Sequence, residues 1–135
     1  MLKQLIAGIP LILVLALAPL ATGQTMPGGK WWKDPGVVKQ LNLTSGEVKK
    51  LDKLFVKSRR RLIELKNRVE KERFEYQTLM ESQNLDESAV NRQLQKLEKA
   101  RTAMNAETNR FVVEVRKILG PDRFQKLKRI YSSSK

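Results

Sequence analysis

The chain has 135 residues, one domain's worth, with 27 Lys and Arg against 14 Asp and Glu, a formal balance of +13. It contains no His and no Cys. That removes the commonest general base, the commonest transition-metal ligand and all thiolate chemistry. No Gly-rich phosphate loop is present, and pairs such as Glu64 and Glu70 read as surface ion pairs, so neither catalytic residues nor a cofactor is expected. The positive balance points to anionic partners.

Residues 1–23 read as a cleaved secretory signal. Lys3 supplies the charged start, Leu5 to Leu20 is almost wholly apolar with Pro10 and Pro19 in it, and Ala21-Thr22-Gly23 supplies small residues for cleavage. The apolar run is shorter than the roughly 20 residues of a membrane span. No Cys follows it to carry a lipid. A periplasmic protein is expected, and nucleic acid is set aside as a partner. Residues 24–33 form a Gly- and Pro-bearing leader.

Asp34-Pro35 predicts an N-cap and first helical residue, opening a short helix to Leu41. Thr44 and Glu47 have capping-box spacing, where each side chain accepts a backbone N–H at a helix start. From Val48 the a positions Val48, Phe55, Leu62, Val69 and Tyr76 alternate with the d positions Leu51, Ser58, Leu65, Glu72 and Leu79. This heptad pattern predicts one long helix over 45–82. Gln83 to Asp86 interrupts it, and Asp86 caps a second long helix. Its predicted seam is Val90, Leu94, Leu97, Arg101, Met104, Thr108, Phe111, Val115 and Ile118, ending at Gly120-Pro121. A final amphipathic helix over 122–131 offers Phe124, Leu127 and Ile130, before a frayed tail at 132–135.

The expected fold is therefore all-α: a long antiparallel helical hairpin with short N- and C-terminal helices. Glu72 and Arg101, the polar exceptions, are expected to pair across its seam. One seam leaves Leu54, Val56, Ile63, Phe74, Val112 and Val113 without cover. A single thin core is marginal, so the terminal helices or a second copy should cover part of it, and a homodimer is expected.

On the first long helix Val56 and Ile63 lie beside Arg59 and Lys66, with Lys57, Arg60, Arg61, Arg68 and Arg73 nearby. The residues suit a positive, partly apolar surface for partly unfolded chains. The same pattern also describes a solvated helix face with a dimer contact. Adsorption to anionic lipid is a further, less favoured use of the charge, because helix pairing explains the apolar seam better.

The run from Trp31-Trp32-Lys33-Asp34-Pro35 through Leu43-Thr44, a long helix, and Ile118-Leu119-Gly120-Pro121-Asp122-Arg123-Phe124 resembles the Spy/CpxP family of periplasmic chaperones, stress adaptors and metal-resistance proteins. The family carries an LTxxQ motif twice. Here the first copy is Leu43-Thr44-Ser45-Gly46-Glu47, with Glu at the Gln position. The second, Leu119-Gly120-Pro121-Asp122-Arg123, keeps only Leu. The resemblance implies a four-helix protomer, dimerised into a cradle, whose basic concave face holds unfolding envelope proteins without ATP. It also implies alternatives: a heavy-metal sensor or resistance protein, or a regulator bound to an envelope signalling partner. The metal-sensing members use His, Met and carboxylates, and this chain has no His to offer.

Overall fold

The computed structural model describes residues 28–133. The expected signal, 1–23, and the first residues of the leader lie outside them. The described chain is a 3-10 turn, Trp31–Lys33, followed by α1 (Pro35–Leu41), α2 (Ser45–Met80) and α3 (Glu87–Ser132). α2 and α3 form the expected antiparallel hairpin. Among the described residues no helix is long and apolar enough to cross a membrane.

Each helix starts where its side chains can satisfy free backbone N–H groups. The Asp34 carboxylate accepts from Gly36 N at 2.8 Å, and Asp86 accepts from Ala89 N at 3.0 Å. At α2 the capping box is complete: Thr44 Oγ1 accepts from Glu47 N and Glu47 Oε1 accepts from Thr44 N, each at 3.1 Å. α1 ends on Asn42, which takes the left-handed conformation at φ 50°. α3 is broken at Gly120, whose φ of 78° and ψ of 172° only glycine adopts freely. Pro121 then starts a second arm, since its missing N–H costs nothing at a first helical position. With α3 counted as two arms, the described residues form four α-helical segments. The expected final helix is this second arm.

The base of the hairpin holds the main core. Trp31, Trp32, Val37, Leu41, Leu43, Leu51, Val115, Leu119 and Leu127 are buried there, with Leu54, Phe55, Phe111 and Phe124 packed against them. Residues 31–33, assigned to the leader by the sequence, therefore sit in a structured turn with both Trp rings inside. Trp32 meets Phe55 edge-on, and Phe55 meets Phe111. Such aromatic packing adds about 0.5–1.5 kcal/mol per pair beyond area burial. The terminal segments thus supply the second layer that a bare hairpin lacks, and they cover Leu54, which the sequence left exposed.

Further along, the hairpin thins. A polar layer of Ser58 and Glu107 follows, both buried. Beyond it Leu65 is buried, and Val69, Leu97 and Ala100 form a second, smaller cluster with Tyr76 and Met104. Near the turn, the Gln93 amide donates to the Glu72 carbonyl at 3.0 Å and to its carboxylate at 2.5 Å.

Two expectations about the seam are corrected here. On α3 the buried positions are Gln93, Leu97, Ala100, Glu107 and Val115, whereas Leu94 and Thr108 are exposed. The seam therefore runs one residue earlier than the apolar pattern suggests at three of its positions, with 93, 100 and 107 in place of 94, 101 and 108. Consequently Glu72 meets Gln93, and no Glu72–Arg101 pair forms. Arg101 turns to Glu98 on its own helix, at 2.7 Å. Leu94 attracted the seam assignment because it is apolar, but the two hydrogen bonds from the Gln93 amide to Glu72 turn position 93 inward instead.

The corrected seam separates two leucines three residues apart. Leu97 is 3% exposed and Leu94 is 38% exposed. Leu97→Ala is expected to cost about 2–5 kcal/mol, as for other buried leucines. Leu94→Ala is expected to cost less than about 1 kcal/mol. Urea unfolding followed by circular dichroism measures both, and equal costs would restore the earlier register.

Candidate functional site

The two motif copies meet. Arg123, the last residue of the second, donates from Nη1 to Glu47 Oε1 at 2.9 Å and from Nη2 to Glu47 Oε2 at 2.6 Å. Glu47 is the last residue of the first copy. The same guanidinium donates from Nε to Leu119 O at 2.9 Å and from Nη2 to Ile118 O at 3.2 Å. Those carbonyls are left open by the break at Gly120. Leu43 and Leu119 are buried beneath the pair, Thr44 caps α2, and Asp122 is exposed. The motif residues are thus a structural clasp: one arginine seals the end of the first α3 arm and ties it to the start of α2. The Arg123 guanidinium, with the capping box, holds the Glu47 carboxyl down at about 2.

Above this base the predicted surface residues divide between two flanks of α2. Helical spacing places Arg59, Ile63, Lys66 and Arg73 on one side of the seam. Lys57, Arg61 and Arg68 fall on the other, and Arg60 lies on the outer ridge beside them. Val56 and Phe74 stand on the outer ridge towards the first side. The sequence gathered all the charged ones into one surface because it took proximity along the chain for proximity in space.

The first flank is apolar and basic. Val56 is 44% exposed, Ile63 51% and Phe74 66%. Arg59 and Lys66 have no ion-pair partner among the described residues, while Arg73 pairs with Glu70 at 3.2 Å. Across the seam Leu94 and the half-buried Val112 extend this surface onto α3. At the base the same flank is covered by the N-terminal turn. There the Trp32 indole donates to Asp52 at 2.8 Å, and Lys33 pairs with Asp52 at 2.5 Å. Lys33 first and Trp32 second hold the Asp52 carboxyl below its ordinary range.

The second flank is basic with little apolar content. Lys50, Lys53, Lys57, Arg60, Arg68 and Lys71 lie along this side of α2, all exposed. On α3, Arg92, Lys96, Lys99, Arg110 and Lys117 do the same around Ala103 and Ala106. An open cleft of about 870 Å³ lies between the rows, bringing Lys53, Lys57, Arg60, Arg61 and Glu64, with Asp52 and Val56 at its edge, together with Glu107 and Arg110. The carboxylates here already have cations. Glu64 pairs with Arg61 at 3.3 Å, Glu107 with Arg110 at 2.6 Å and Glu114 with Lys117 at 2.9 Å. Arg110, and then the nearby Ser58 hydroxyl, hold the Glu107 carboxyl down. That buried hydroxyl falls short of hydrogen-bond geometry with any group, so its effect on Glu107 is that of a nearby dipole. The sequence reading missed the α3 row altogether. Its signal was there in the four–three spacing that links Arg92, Lys96, Lys99, Ala103, Ala106 and Arg110, but no residue of the row is apolar enough to draw notice.

Among the described residues no three His, Cys, Asp or Glu side chains gather closely enough to hold a metal ion. His and Cys are absent from the sequence, and the carboxylates at 47, 52, 64, 70, 98, 107 and 114 are each engaged by Arg or Lys. Of the side chains a soft heavy-metal ion takes, thiolate, imidazole and thioether, the described residues offer only the thioethers of Met80 and Met104.

The fold and its two flanks define a small all-helical hairpin protein with a clasped base and a basic surface. The chain belongs to the heavy-metal resistance family, whose family model matches residues 6–126 and which lies within the Spy/CpxP-like group. No curated protein and no solved structure matches it.

The clasp has a pH signature. Glu47 is lowered from 4.5 to about 2, so the unfolded chain takes up its proton at a higher pH than the folded one. The stabilisation is whole above pH 4.5 and is lost as the pH falls towards 2. Glu47→Gln keeps the capping geometry and is expected to flatten this part of the acid limb of the stability curve. Arg123→Ala, which also opens the α3 carbonyls, is expected to cost about 1.5–3 kcal/mol at neutral pH. Denaturant midpoints measured between pH 2 and 7 test both, and an unchanged acid limb in Glu47→Gln would remove the clasp.

Proposed function

We propose that this protein is a periplasmic, ATP-independent holdase that binds partly unfolded envelope proteins through the apolar-basic flank of its hairpin. The observation that carries the reading is the exposure of Val56, Ile63, Phe74 and Leu94 beside the unpaired cations Arg59 and Lys66. A helix face turned only to solvent would bear polar residues at these positions. A contiguous exposed apolar patch rimmed by polar groups marks a binding surface. The cations draw in acidic segments, and the apolar groups hold exposed hydrophobes. Membership of the heavy-metal resistance family is compatible with this role, because stress from metals unfolds proteins. A soft-donor set limited, among the described residues, to two thioethers favours protection of clients over capture of the metal.

The test is an aggregation assay on an unfolding client, run with and without divalent metals. The protein is expected to delay aggregation at near-stoichiometric ratios, less well at high salt, with no requirement for metal. Ile63→Asp combined with Phe74→Ser is expected to reduce the protection by about tenfold, equivalent to about 1.4 kcal/mol of client affinity. Both positions are exposed, so helicity by circular dichroism should be unchanged. A light-scattering curve unaffected by the wild-type protein would reject the reading. Activity that appears only with zinc or copper would favour a metal-responsive protein instead.

A further inference from the structure

The second flank has no part in that reading. It is the largest concentration of unpaired charge on the described molecule, and it differs from the first flank in kind. Its α2 row spans roughly 30 Å at 1.5 Å per residue. The α3 row runs antiparallel beside it. That both border one surface is shown by the cleft shared between them, and by the pull of Lys57 on Glu114 and of Arg61 on Glu107 across the hairpin. The carboxylates that line the cleft are already taken, Asp52 by Lys33, Glu64 by Arg61 and Glu107 by Arg110, and Lys53, Arg60, Lys96 and Lys99 have no ion-pair partner among the described residues.

We propose that this flank is a docking surface for an anionic phospholipid bilayer, on which the hairpin lies with its apolar-basic flank turned away. Three features choose this occupant. The surface is broad, with cations presented by two neighbouring helices, and so suits a sheet of phosphates. The aromatic ring nearest the α2 row is Phe74 on the outer ridge, and one ring is too few for single-stranded nucleic acid, which stacks successive bases on aromatic side chains. Its one strongly exposed large apolar residue within the rows is Val113, 50% exposed, with Val56 at the rim. That is too little to grip an unfolded chain, whereas lipid phosphates ask only for clustered Lys and Arg. The docking is electrostatic and shallow, with no helix inserted.

Lysine footprinting tests it on the protein as purified from its own cells, so that the state of the first residues is the same in every arm. An acylating reagent labels exposed lysines, read by mass spectrometry, on vesicles of phosphatidylcholine alone or with phosphatidylglycerol added. On the anionic vesicles Lys53, Lys57, Lys96 and Lys99 are expected to be protected by about threefold or more, as adsorption through several basic residues implies. Lys66, on the other flank, is expected to stay reactive. Salt at about 1 M, where the screening length falls to about 3 Å, should abolish the protection. Lys53→Gln with Lys57→Gln should weaken protection at Lys96 and Lys99. Arg59→Gln with Lys66→Gln, an equal loss of charge, should not. Protection that is absent, equal on neutral vesicles, or equal at Lys66 overturns the proposal. So does protection of these lysines by an unfolded client and not by vesicles. The client assay and this one fail independently.

Discussion

Everything on the surface of this molecule follows from the register in which α2 lies against α3. Three contacts define it: Phe55 against Phe111 at the base, Ser58 against Glu107 in the middle, and Glu72 against Gln93 near the turn. A helix has one direction that faces its partner, so fixing that direction fixes the other three. Had the seam used Leu94, Arg101 and Thr108, the Lys96 and Lys99 row would have rotated away from the α2 lysines and no continuous basic flank would exist. Two of the three contacts are polar. They contribute less than apolar packing would, but a buried amide or carboxylate tolerates few alternative partners, and that selects one register over its neighbours.

The clasp of Glu47 and Arg123 secures the end of this arrangement. An arginine that meets a carboxylate with two hydrogen bonds is held in orientation as well as position. Because Arg123 also takes the carbonyls of Ile118 and Leu119, the break in α3 and the start of α2 are fixed relative to each other. The second arm is thereby turned so that Leu127 enters the base core. The degenerate motif copies read differently once this is seen. Glu and Arg stand where the family has Gln twice, and the two departures compensate each other as an ion pair.

The distribution of charge is as informative as its amount. Five of the seven ion pairs among the described residues are local, at three-residue spacing along one helix, and such exposed pairs contribute little to stability. Their effect is to leave the surplus cations unopposed and sorted by flank. One flank mixes cations with exposed apolar groups, and the other presents cations nearly alone. Side-chain chemistry therefore gives two surfaces with different requirements of a partner on one thin scaffold. The apolar core is concentrated at the base, where the aromatic residues and the terminal segments lie. The outer part of the hairpin has only a narrow seam and is the part that carries the exposed groups.

The number of helices, their starts and the break at Gly120 were legible in the sequence, because capping, proline placement and heptad spacing act within a few residues and need no partner. Thr44 with Glu47, Asp86, and Gly120-Pro121 each did locally what their chemistry requires. The α2 half of the seam was legible for the same reason, with Leu51, Ser58 and Leu65 buried as the period demands. What only the tertiary structure decided was everything that depends on a second segment. Whether Gln93 or Leu94 faces inward turns on a carboxylate 21 residues away. Arg123 finds Glu47 across 76 residues, and the lysines of α2 and α3 make one surface only after the hairpin closes. Local periodicity says that a face exists, but which residues of two helices share it is set by how they meet.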